Sequence, residues 1–113
     1  MKLQYLGALA DIPSGSARGY QTTPELSVFA VRVDDKVSVY RNRCPHKGIE
    51  LNWVPDKFLD RDGEYLQCSS HGALFEIHTG KCIVGPCGGA YLEKLNSCVQ
   101  DGGLYIEDQG SGD

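Results

Sequence analysis

The chain has 113 residues, enough for one domain, and its 41% hydrophobic and 23% charged residues place it among folded globular proteins. A formal net charge of −4 argues against the basic face that phosphate recognition uses, so nucleic acid is not an expected partner. No run approaches the roughly 18 apolar residues of a membrane span, and 14 glycines beside 1 Met and 1 Trp favour short strands and tight turns over helices.

In chain order, residues 1–11 (M-K-L-Q-Y-L-G-A-L-A-D) begin like an export signal, with one Lys ahead of Leu3 and Leu9. Gln4 interrupts that apolar run and Asp11 ends it, so the segment reads as a first strand and the protein as cytoplasmic. Residues 27–33 (S-V-F-A-V-R-V) partly alternate, and residues 36–41 put Val37 and Val39 on one face; Asp34-Asp35 between them makes a tight hairpin. Residues 58–60 and 64–67 flank Arg61-Asp62-Gly63, a second hairpin whose Gly takes positive φ. Residues 73–78 and 81–84 are joined by Thr79-Gly80, and residues 91–99 and 104–107 lie either side of Asp101-Gly102-Gly103. No window sustains an amphipathic helix of about ten or more residues, and residues 109–113 read as a flexible tail. The expected class is all-β, with hairpins and two irregular loops that carry glycine.

Those loops hold the chemistry. One reads Cys44-Pro45-His46-Lys47-Gly48 and the other Cys68-Ser69-Ser70-His71-Gly72, a C-x-H and a C-x-x-H separated by 21 residues. Two Cys and two His can hold a tetrahedral zinc, or a 2Fe–2S cluster with thiolates on one iron and imidazoles on the other. Structural zinc sites usually pair like residues, whereas each loop here supplies one Cys and one His. Two parallel loops of that composition can each reach both ends of a binuclear cluster. Glycine beside each His lets backbone N–H groups approach anionic bridging sulfides. A third segment, residues 80–87, contains a rigid Gly85-Pro86 corner suited to shielding one side of such a cluster.

These residues resemble the Rieske iron–sulfur family. The resemblance runs along nearly the whole chain: the leading strand with Asp11-Ile12-Pro13, the hairpin entering Cys44, both boxes, the trailing Ala73-Leu74-Phe75 and the Gly-Pro corner. It implies a Rieske domain over residues 1–108, built of stacked antiparallel sheets with a small cluster-binding subdomain. Its cluster loops would span about residues 43–49 and 67–73, with a covering loop at 80–88. It also implies one 2Fe–2S cluster, with Cys44 and Cys68 on one iron and His46 and His71 on the other. Respiratory-chain members brace their loops with a disulfide; the corresponding residues here are Ile49 and Ser70. Those members also place a Ser and a Tyr, donors to the cluster, where this chain has Ala73 and Phe75. Fewer donors stabilise the reduced cluster less, so the expected potential lies toward the roughly −150 mV end of the Rieske range.

The remaining cysteines, Cys82, Cys87 and Cys98, read as small packed hydrophobes, although Cys82 and Cys87 flank a turn across which they could pair. His78 reads as exposed and non-ligating, and Trp53 as packed beneath the spacer. Residues 1–56 carry seven basic and six acidic side chains and residues 57–113 four and nine, so the first box is locally basic through Arg41, Arg43 and Lys47. These three are either simply solvated or guide a partner to the site. No Ser-His-Asp set, phosphate loop or mononuclear iron triad can be picked out, which favours a carrier over an enzyme and predicts no substrate pocket. The resemblance implies a one-electron carrier between a flavin-dependent reductase and a terminal oxygenase or reductase. A small subunit of a complex such as NAD(P)H nitrite reductase, or a zinc-binding interaction domain, are the alternatives.

Overall fold

The computed structural model describes residues 3–24, 26–43, 51, 56–68, 72–85 and 89–107. Among them lie ten strands: β1 (Leu3–Ala8), β2 (Ser16–Thr23), β3 (Leu26–Val33), β4 (Lys36–Arg41), β5 (Tyr65–Gln67), β6 (Leu74–Glu76), β7 (Cys82–Val84), β8 (Lys94–Leu95), β9 (Ser97–Gln100) and β10 (Gly103–Glu107). The helical content of these residues is one 3-10 turn, Leu9–Asp11. No helix among them is long and apolar enough to cross a membrane.

The strands form three antiparallel sheets ordered β1-β10-β9, β2-β3-β4-β8 and β5-β6-β7. The second sheet is the middle layer. Along β3 the side chains alternate with the two-residue period of a strand. Phe29 and Val31 enter a core shared with Leu66, Phe75 and Cys82 of the third sheet, while Val28 and Ala30 enter a core shared with Leu104 and Ile106 of the first. β4 divides the same way, Tyr40 to one core and Val39 to the other. A strand covered on both faces has no polar alternation to show, which is why residues 28–31 read as one apolar run. The all-β expectation, with stacked antiparallel sheets, describes this architecture.

The predicted turns are present. Asp34, at φ 54°, opens the two-residue loop between paired Val33 and Lys36. Gly63 takes φ 70° in the second hairpin, where residues 58–60 contribute ladder hydrogen bonds and a single bridge, Leu59 to Leu66, rather than a full strand. Gly80 takes φ 76° between β6 and β7.

Two elements differ from the sequence reading. β2 was not anticipated, because S-A-R-G-Y-Q-T-T carries few apolar residues. It is an edge strand, with one side hydrogen-bonded to β3 and little of its length buried. The expected strand over 91–99 is broken into two short strands in different sheets: Lys94 and Leu95 pair with β4, while Ser97–Gln100 pairs with β10. At the handover, the Asn96 carbonyl accepts the Glu107 N–H at 2.9 Å. The break lets one stretch of chain serve two layers.

Candidate metal centre

The third sheet carries the second ligand box. β5 ends at Gln67, and Cys68 follows with 0% exposure, in the core beside Ala73, Phe75 and Cys82. Two main-chain hydrogen bonds close the box on itself: the Cys68 N–H donates to the Ala73 carbonyl and the Gly72 N–H to the Cys68 carbonyl, both at 2.9 Å. Gly72 stands at φ 66°, a conformation that a side chain at this position would strain. The sequence reading gave this glycine a role in close approach; the structure adds a turn that depends on it.

The covering segment lies directly on that box. Gly85, at φ 109°, packs so closely that a Cβ there would stand 2.9 Å from the Ala73 Cα. Beneath it Cys82 is buried, and its thiol reaches the Val84 carbonyl at 3.5 Å. This agrees with its reading as a small packed hydrophobe.

The first ligand box lies outside the described residues, as do Cys44, His46, Ile49, Trp53, Ser70, His71, Pro86 and Cys87. The ends of that segment are described. Asn42, 7% exposed, is held through its N–H to the Ser27 carbonyl at 2.8 Å, and its Oδ1 accepts the Leu51 N–H at 2.8 Å. Leu51 is itself 0% exposed in the core shared with Cys68. Further on, Asp56 at φ 63° accepts the Gly19 N–H from the free edge of β2 at 2.8 Å, and Phe58 stacks on Phe29 with ring centroids 4.3 Å apart. Sequence reasoning missed Asn42 and Asp56, whose roles depend on backbone partners 9 and 37 residues away.

The third sheet is also tied to the middle sheet. The Tyr40 hydroxyl donates to the Ile77 carbonyl at 2.6 Å, and burial pushes its pKa up to about 12 against a lowering hydrogen bond from Ser38. His78 is exposed, as expected, and its carbonyl accepts Lys94 Nζ. Cys98 is half-buried, with Gln100 Nε2 3.8 Å from its sulfur. Arg41 meets Glu93 at 3.7 Å in a solvent-facing pair worth little in stability, while Arg43 is exposed. A groove of about 590 Å³ runs between Ser16 and Ala17 and residues 56–61. Its two carboxylates are already engaged, Asp56 with the Gly19 N–H and Asp60 with the N–H groups of Glu64 and Tyr65.

Stacked antiparallel sheets, with Cys68 shielded from water beside a tightly packed glycine turn, define the described residues as a small all-β protein. The Rieske [2Fe-2S] domain model matches residues 2–98, and the chain belongs to that family. The cofactor of the family is the iron–sulfur cluster, one of the two chemistries that the four ligand types allow. Of the four candidate ligands the described residues include Cys68, which is shielded from water near a turn that leaves no room for a side chain at Gly85.

Relatives share that length and form. The 3-phenylpropionate/cinnamic acid dioxygenase ferredoxin subunit of Photorhabdus laumondii is 26% identical over 106 residues, 94% of each chain. Its counterpart in Escherichia coli K12 is 26% identical over 103 residues, 91% of each. Among solved structures, the Sphingomonas yanoikuyae B1 ferredoxin superposes with a TM-score of 0.76 at 23% identity, covering 95% of this chain and 99% of that one. A chain from the complex of reduced oxygenase and oxidized ferredoxin of carbazole 1,9a-dioxygenase gives 0.75 at 23% identity, covering 92% and 91%.

Proposed function

We propose that this protein is a Rieske ferredoxin: a cytoplasmic one-electron carrier that takes electrons from a flavin-dependent reductase and delivers them to the terminal oxygenase of a dioxygenase system. The observation that carries this reading is the match to the Rieske domain over nearly the whole chain, in a chain as long as dioxygenase ferredoxin subunits. Residues 1–108 form the domain, with cluster loops at about 43–49 and 67–73 and a covering loop at 80–88; residues 109–113 lie outside the described residues. Cys44 and Cys68 bind one iron through thiolates; His46 and His71 bind the other through imidazole nitrogens. When bound, the cluster supplies a reversible one-electron acceptor.

The chain's own residues set the conditions of transfer. Ala73 and Phe75, both buried, have no hydroxyl to donate to the sulfur side of the site, so the reduced state receives little extra stabilisation. Three short strands and the Gly72 turn flank the second ligand box. The domain acts as a carrier, and the reaction chemistry belongs to the partner.

The test is purification with iron and acid-labile sulfide assays, EPR of the reduced protein, and a redox titration. A red-brown protein with equal iron and sulfide, a Rieske-type rhombic signal and a negative potential is expected. Zinc in place of iron, or a clearly positive potential, would overturn the corresponding part of the reading. Cys44→Ser, His46→Ala, Cys68→Ser and His71→Ala should each abolish the signal.

A further inference from the structure

Each candidate ligand box has hydrogen bonds among the described residues at its ends. The loop after β5 is closed by the main chain, through Cys68 N–H to Ala73 carbonyl and Gly72 N–H to Cys68 carbonyl. Main-chain closure survives most side-chain substitutions. The described ends of the segment over residues 43–50 meet through the Asn42 side chain, whose Oδ1 accepts the Leu51 N–H at 2.8 Å. Both ends are fixed: Asn42 is anchored to Ser27 through its own N–H, and Leu51 is fully buried. The disulfide that braces respiratory-chain relatives has no counterpart, since Ile49 and Ser70 stand where its cysteines would be.

We infer that Asn42 is the positioning residue of the first ligand loop, doing with a carboxamide what the main chain does for the second. The inference rests on the assignment of Cys44 and His46 as ligands. A buried N–H without an acceptor is costly, so a side chain that cannot accept leaves Leu51 free to move toward water and opens the loop base. Asn42 acts through the segment whose ends it joins. An isosteric carboxylate still accepts the Leu51 N–H, so Asn42→Asp preserves the closure. Asn42→Leu, which keeps the branching of the side chain but puts methyl groups in place of the carboxamide, removes it.

The experiment compares wild type, N42D and N42L as cluster-loaded proteins, by amide hydrogen exchange and by the rate at which a chelator bleaches the visible absorbance. In N42L, Leu51 exchange and bleaching should each accelerate by about tenfold or more while Phe29, in the middle sheet, exchanges at the wild-type rate. N42D should stay near wild type in both. The inference is overturned if N42L bleaches at the wild-type rate, or if Phe29 accelerates as much as Leu51, which marks a general stability role. Should N42L not accumulate as folded protein, N42A carries the same comparison. In wild type alone, a Leu51 amide that exchanges as fast as an open-loop amide also overturns it. A wild type with no iron–sulfur cluster overturns the ligand assignment as well, whereas a loaded wild type with an indifferent N42L overturns the role of Asn42 only.

Discussion

Tyr40 does more than fill the core. Its ring lies under Gly80, where a Cβ would stand 2.8 Å from Cε1, and its hydroxyl holds the Ile77 carbonyl just before that turn. Tyr40→Phe keeps the ring and leaves a buried carbonyl without its donor, so a loss of about 1–3 kcal/mol in unfolding free energy is expected by denaturant titration. Burial raises the phenol's pKa from 10.0 to about 12, so the folded state holds that proton more tightly than the unfolded chain does. The contribution is therefore full below pH 10 and is lost as pH rises to 12. Wild type should lose about 1.4 kcal/mol per pH unit across that window that Tyr40→Phe does not lose. Parallel slopes for the two proteins would show that the phenol ionises in the folded protein as readily as in the unfolded chain.

At the scale of elements, the covering turn and the second ligand loop behave as one unit, because Gly85 rests on the backbone of Ala73. Gly85→Ala must displace that backbone and hold alanine at φ 109°. The expected result is a cluster that bleaches faster under chelator, with the visible circular dichroism altered and the far-ultraviolet spectrum of the sheets retained. Unchanged bleaching would mean that the turn moves away at no cost to the loop beneath. Legibility follows the same scale. Cys44, His46, Cys68 and His71 were readable as candidate ligands because ligand types at fixed spacing signal themselves. Asn42 and Asp56 were not, since an Asn or an Asp in a loop is ordinary and becomes informative only when its backbone partner is known. The hairpin over residues 26–41 was readable from its β-branched runs and two-residue loop. β2 was hidden, because an edge strand buries too little to need an apolar pattern.

Over the whole molecule, the middle sheet explains what could not be read locally. Residues 91–99 look like one strand, yet the chain leaves the middle sheet after Leu95 and joins the first sheet at Ser97. That choice depends on partners around residues 39–40 and 103–106. The first sheet in turn depends on β10, which lies between β1 and β9 and places the fully buried Leu104 and Ile106 in the core beneath. A chain ending at Gln100 loses both side chains, about 3–6 kcal/mol of burial, against a typical total of about 5–15 kcal/mol. Such a truncation should abolish cooperative thermal unfolding; a sharp transition retained would show that the two other sheets stand alone.

The pairing of Leu3 with Glu107 sets an order in time as well as in space. During synthesis β1 emerges first and waits, its hydrogen-bonding edge unmatched, until residues 103–107 have left the ribosome. Both ligand loops emerge before then, on a protein whose outer layer is not yet closed. The first sheet is therefore the last layer of the fold to close, although it holds the first strand to be made.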